Sequence, residues 1–144
     1  EQVGIHMRNC RVEENLDHIF GKDSTSPHKA AVFHYKARTT TNARFELGIA
    51  NDEMVDAAWR WGNGNVLLID GTFGIAVQKL LLFVLMVIDD NGKGVPVGML
   101  QFSAPAGNRM TASGYDATIL VQLMTAWKNR VNAYGRRDDF APKV

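Results

Sequence analysis

Residues 66–104, VLLIDGTFGIAVQKLLLFVLMVIDDNGKGVPVGMLQFSA, decide how the rest of the chain is read. Residues 66–69 are a short apolar run that stops at Asp70. Residues 80–88 are apolar without a break, and residues 95–102 form a third run, with Asn91-Gly92 in the turn before it. Three such runs, with an Asn-Gly signal between the last two, predict an antiparallel meander with strands near 66–74, 79–89 and 95–103. The middle run is apolar on both faces, which predicts a central strand covered on both sides. Pro96 cannot donate to a ladder, so the third strand is expected at a sheet edge.

Downstream, residues 103–108 read as a loop with Pro105 and Gly107. Ser113 and Asp116 have the S-x-x-D spacing of a capping box. Ile119, Leu120, Leu123, Met124, Trp127, Val131 and Tyr134 then fall at helical spacing, opposite Gln122, Thr125, Asn129 and Asn132. A helix over 113–134 is expected to lay its Leu120/Met124/Trp127 side on the sheet. Gly135 is the expected stop.

Upstream, residues 1–62 read as a broken helical lead-in. Val12, Leu16, Ile19 and Phe20 have helical spacing, with Gly21 as a stop. Ser26-Pro27 reads as an N-cap followed by proline at the first helical position, so a helix is expected to about Lys36. Thr39, Thr40 and Thr41 argue against a strong helix next. Phe45, Leu47 and Ile49 alternate like a short strand. Asn51 is a good N-cap, and Asp52 and Glu53 suit the first turn of a helix that Gly62 ends. Asn63-Gly64-Asn65 marks the expected boundary between a lead-in, 1–62, and a second unit, 63–144.

The chain has 144 residues, 46% hydrophobic and 22% charged, which is enough for one domain with a core. A net charge of +1 does not mark a nucleic-acid binder by itself, and leaves room for a local basic patch. Cys10 is the only cysteine, so no disulfide forms within the chain. No apolar run approaches the roughly 18 residues of a membrane-spanning helix, so no membrane partner is expected. Residue 1 is Glu, and the chain reads as a fragment of a longer protein.

Asp70 is the first candidate for chemistry, and two readings stand open. Asp-Gly between apolar runs is a common hairpin turn, and spacing alone favours that reading. The other is a carboxylate in a strand, aimed at Mg²⁺, which takes hard oxygen ligands. Two such ions about 3.5–4 Å apart can activate a nucleophile and stabilise a leaving oxygen in phosphodiester chemistry. One carboxylate cannot hold two metals. Asp89 and Asp90 flank Asn91-Gly92 and fit a turn better than a site, and Asp138 and Asp139 read as loop charges. His6, His18, His28, His34 and Cys10 match no closed zinc spacing. There is no G-x-S-x-G elbow, G-x-G-x-x-G or Walker A run. Trp59, Trp61 and Trp127 read as core. Lys128, Arg130, Arg136 and Arg137 cluster near one helix end, where cations stabilise the helix C-terminus and can also touch phosphates.

The run from LLIDGTF through VIDDNGKGVPVGMLQFSA, with the helix after residue 112, resembles the start of the catalytic domain of Mutator-like element (MULE) transposases. Those have a strand ending in D-G-T-[FY], a hydrophobic strand with a Gly or Asn-Gly turn, and a strand like G-x-P-V. The likeness spans roughly residues 60–135 and is nearest the fungal transposon-derived members. It implies an α+β chain: a helical N-terminal segment, then the first three antiparallel strands and first helix of an RNase H-like fold. It also implies a nuclear DNA transposase of the DDE type that cuts and joins DNA at transposon ends with Mg²⁺ or Mn²⁺. Only Asp70 matches the triad, as its first Asp, and is the expected catalytic and metal-binding residue. The second Asp lies on the strand after the first helix in that family and the Glu later, so this chain alone is expected to be inactive and to bind Mg²⁺ weakly. The alternative is a non-enzymatic, transposase-derived DNA-binding or regulatory protein. The outer edge of 66–69 is expected to be unpaired and prone to self-association.

Overall fold

The structure, a computed structural model, describes residues 19–38, 44–73, 80–103, 117–134 and 139–143. Its strands are β1 (Val32–Lys36), β2 (Glu46–Ile49), β3 (Leu68–Phe73), β4 (Leu80–Ile88) and β5 (Gly94–Ser103). Its helices are α1 (Asp52–Ala57), which runs on into a π-helical turn Ala58–Gly62, and α2 (Ala117–Ala133). The fold class is α+β. The strands form a single five-stranded sheet in the order β1-β2-β5-β4-β3, and every adjacent pair is antiparallel.

The meander forms as the apolar runs require. Asp89 shapes the β4–β5 turn, its Oδ1 accepting from Asn91 N at 2.8 Å and Lys93 N at 2.9 Å, while Gly92 takes φ 76°. This is the turn role expected for Asp89. Because side chains alternate, β4 presents Leu81, Phe83, Leu85 and Val87 to one face, where all are buried. Leu82, Val84 and Met86 point to the other face and are half-buried. β4 is therefore central, but only one of its faces is fully covered, a correction to the expectation of two.

The helices lie on the buried face. α2 buries Ile119, Leu123, Trp127 and Val131, one residue every turn, with Leu120 and Met124 at the margin of the contact. The Trp127 indole N–H donates to the Val97 carbonyl at 2.9 Å, and the ring lies over Gly98, where a Cβ would come within 2.7 Å of it. α1 starts as expected: Asn51 Oδ1 accepts from Met54 N at 2.8 Å, with Asp52 and Glu53 in the first turn. Trp59 donates to the Val131 carbonyl at 2.9 Å and ties the end of α1 to α2. The proposed Ser113/Asp116 cap and the Gly135 stop lie outside the described residues.

The N-terminal segment is not simply helical. Ser26 and Pro27 do start a helical turn, but it is a short 3-10 turn, Pro27–Ala31, with no acidic residue to favour its N-terminus. Val32, Phe33 and Tyr35 are β-branched or aromatic, and β2 offers them a partner with Tyr35 opposite Leu47 and His34 opposite Gly48. Pairing across the sheet wins over the local start signal. Gly48 is where the Phe33 ring rests, and a Cβ there would overlap it.

β2 also changes the place of β5. It pairs with β5 from Met99 to Phe102, so the third strand of the meander is not a sheet edge, contrary to the reading of Pro96. The reading holds for the residue itself. Pro96 lies beyond the end of β2, beside a register shift at Leu85/Met86, where no N–H is needed.

Candidate active site

Strand β3 runs through Asp70 to Phe73 and does not turn at Asp-Gly. Asp70 pairs with Val84 and Gly71 with Phe83 along an unbroken register from Leu68 to Phe73. The hairpin reading of Asp70 is thereby overturned. Two things make the strand possible. The apolar run before Asp70 meets the apolar β4, and Gly71 makes room for the Phe83 ring, which a Cβ would meet at 2.8 Å. Asp70 is exposed and shares the face of Val84, away from α1 and α2.

The described residues offer Asp70 no complete ligand set. No group of three or more His, Cys, Asp or Glu side chains there converges to hold a metal. Asp70 alone would leave most of an Mg²⁺ octahedron to water. The described donor set is therefore short of a two-metal centre.

The other candidate residues have structural partners. Asp139 is not a free loop charge: Lys128 Nζ lies 3.0 Å from its Oδ2, and Asn132 Nδ2 donates to its Oδ1 at 2.7 Å. The Lys128 and Asn132 hydrogen bonds hold its carboxyl below the usual carboxylate range. Arg130 Nη2 donates to Asp52 Oδ1 at 2.8 Å, joining the end of α2 to the start of α1, and its guanidinium also lies over the Tyr134 ring. Two of the four basic residues considered for phosphate contact are thus neutralised within the fold. Arg136, Arg137 and Asp138 lie outside the described residues, as do His6, Cys10 and His18. Trp127 is buried, and Trp59 and Trp61 pack against the core, as expected.

One polar cluster escaped the sequence. Glu46 is buried, yet its Oε1 lies 2.9 Å from His34 Nε2 and its Oε2 3.7 Å from Lys36 Nζ. The signal was the period of two that puts His34 and Lys36 on one side of a strand, and it is lost when 27–36 is read as a helix. A buried carboxylate needs such partners, and here they fasten β1 to β2.

The outer edge of residues 66–69, expected to be unpaired, is in fact paired at Val66. Lys143 makes a parallel bridge to Val66, with Lys143 N donating to the Asn65 carbonyl at 2.6 Å and Leu67 N to the Lys143 carbonyl at 3.1 Å. The chain that leaves β5 thus crosses by α2 and returns beside β3. Comparison with family models, with curated proteins and with solved structures finds no match.

Proposed function

We propose that this chain belongs to the catalytic region of a Mutator-like DDE transposase of RNase H-like fold, with Asp70 as the first carboxylate of its metal site. In the parent protein the activity would be binding and metal-dependent cutting and joining of transposon-end DNA, in the nucleus. The observation that carries the reading is the course of β3. An Asp-Gly turn would make Asp70 a loop residue, but the strand passes through it and leaves the carboxylate exposed directly after an apolar run. A carboxylate fixed on a strand is held more firmly than one on a loop, as a metal ligand must be. The order of elements agrees: three antiparallel strands, a helix across one face, and a return beside the first strand on the side opposite β4.

Asp70 is the one described residue that would hold Mg²⁺ or Mn²⁺, and the metal would supply activation of the attacking hydroxyl. The test uses the full parent protein with plasmid DNA carrying the terminal sequences that flank its gene. Cleavage with Mg²⁺ or Mn²⁺, reduced at least about 100-fold by Asp70→Asn with DNA binding retained, supports the enzyme. Asp70→Asn cleaving like wild type sinks the assignment. Specific binding with no cleavage in either protein favours the non-enzymatic DNA-binding alternative.

A further inference from the structure

We propose that Ser26 is a phosphorylation site for a proline-directed serine/threonine kinase, recognised through Ser26-Pro27-His28-Lys29. Ser26 is the one serine or threonine in the sequence that a proline follows; Val95, Ala104 and Ala141 precede the other three prolines. Proline has no N–H to place. A kinase pocket that offers no acceptor just after the reacting hydroxyl therefore admits Pro27, whereas any other residue would bury an unpaired donor there. Lys29, three residues after the hydroxyl, adds a cation for acidic groups of the kinase to bind. Asp70 takes no part in this, so the site stands or falls apart from the transposase reading.

The fold presents this stretch to solvent. Ser26 has φ −61° and ψ 137°, the extended backbone that a residue before proline prefers and that a peptide lying in a kinase cleft adopts. Pro27 and His28 are exposed, and no residue of the Pro27–Ala31 turn is buried. Ser26 Oγ accepts from His28 N at 3.3 Å, a long and exposed bond that uses a lone pair and leaves the hydroxyl proton to be given up. Ser24 is placed differently. Its Oγ donates to the Ile19 carbonyl at 2.8 Å and accepts from Ser26 N at 3.1 Å, which anchors the chain just before the site. The Ala31 carbonyl accepts from Ala50 N at 2.8 Å and anchors it just after. Between these anchors the backbone bond from Lys29 N to the Ser26 carbonyl, 3.1 Å, closes the turn. One short 3-10 turn with no buried side chain opens at little cost, so residues 25–29 can enter a kinase cleft while the sheet stays folded.

In the transfer Ser26 Oγ bonds to the γ-phosphorus of MgATP, and the bond from that phosphorus to the β,γ-bridging oxygen breaks. ADP leaves, and the hydroxyl proton passes to the catalytic Asp of the kinase. The product carries a charge of about −1.5 to −2 on a side chain that had none. Residues 22–29 hold Lys22 and Lys29 against Asp23, so the phosphate reverses the sign of their net charge. Lys29 Nζ, which donates to the Lys22 carbonyl, lies in the same turn as a new and stronger acceptor.

The test incubates the folded 144-residue chain with MgATP and a purified cyclin-dependent kinase, and locates the phosphate by mass spectrometry of its peptides. Phosphate is expected on Ser26, to be lost from this segment in Ser26→Ala, and to return as phosphothreonine in Ser26→Thr. Pro27→Ala should slow the transfer about tenfold or more, because it restores an N–H with no acceptor in the kinase pocket. Lys29→Ala should slow it about tenfold, through loss of the charge-assisted contact. Circular dichroism of each variant checks that the sheet is intact. A folded chain left unmodified at Ser26, phosphate on Ser24 or Thr25 in its place, or Pro27→Ala or Lys29→Ala modified as fast as wild type would each overturn the site.

Discussion

Gly98 shows how a single residue can be fixed by a neighbour far away in sequence. Trp127, from α2, lies directly over it, and its N–H reaches the Val97 carbonyl. A methyl at Gly98 would sit 2.6 Å from Nε1, 2.7 Å from Cδ1 and 3.3 Å from Leu85 Cδ1. The ring is buried and wedged against Phe140, so it cannot swing aside without opening the core. Gly98→Ala is therefore expected to destabilise the chain by about 2–4 kcal/mol, from overpacking and loss of a buried hydrogen bond. Urea unfolding would show this as a lower midpoint at unchanged slope. An unchanged midpoint would mean that Trp127 does not rest on Gly98. From the sequence, Gly98 was only a residue after the G-x-P-V-like run of Gly94 to Val97, and Trp127 only a residue of an apolar stripe. Their contact depends on where α2 crosses β5, which no local pattern states.

At the scale of elements, local signals held where one element satisfies itself and failed where a partner decides. The Asn51 cap and the Asn91-Gly92 turn are made from groups a few residues apart, and both formed as expected. Ser26-Pro27 also made its cap, but the helix it announced gave way to β1 after one short turn. The junction of α2 with residues 139–143 is likewise held by contacts across a gap in sequence, and it is open to acid. The Lys128 hydrogen bond, then that of Asn132, lowers the Asp139 pKa in the folded state. A carboxyl lowered on folding contributes stability that is present above its unfolded pKa and is lost as pH falls through the folded one. Acidification below the ordinary carboxylate range should therefore loosen residues 139–143 from α2. Tryptophan fluorescence, sensitive to Trp59 and Trp127 beside Phe140, should show a low-pH step that is diminished in Asp139→Asn. An identical acid titration in the two proteins would remove Asp139 from the account.

At the scale of the whole molecule, the sheet does not respect the boundary read at Asn63-Gly64-Asn65. β1 and β2 precede it and β3, β4 and β5 follow, yet all are in one sheet. The core likewise combines Ala50, Val55 and Ala58 with Leu85, Leu100 and Trp127. A 63–144 piece would lose both flanking strands and α1, exposing the β5 edge at Met99 to Phe102 and one side of the core. It is expected to lack a cooperative thermal transition by circular dichroism, whereas the 144-residue chain is expected to have one. A cooperative transition in the short piece would restore 63–144 as an independent unit.

The sequence by itself determined the meander, the amphipathic α2, the caps and turns, and which residue to watch, because period, cap and turn chemistry act over a few residues. It did not determine that 32–36 is a strand or that β5 lies inside the sheet, and it left open whether the strand expected near 66–74 runs through Asp70 or turns there. Each of those depends on a partner strand supplying hydrogen bonds and an apolar face from elsewhere in the chain. Asp-Gly is compatible with a turn and with a strand, and only the unbroken pairing with β4 selects one. The charges at the end of α2 show the same limit: a row of basic residues in sequence, but for Lys128 and Arg130 the distant carboxylates Asp139 and Asp52 claim them in the fold. Opposite charges meet by position in space, and the sequence carries that position only through the packing of the whole.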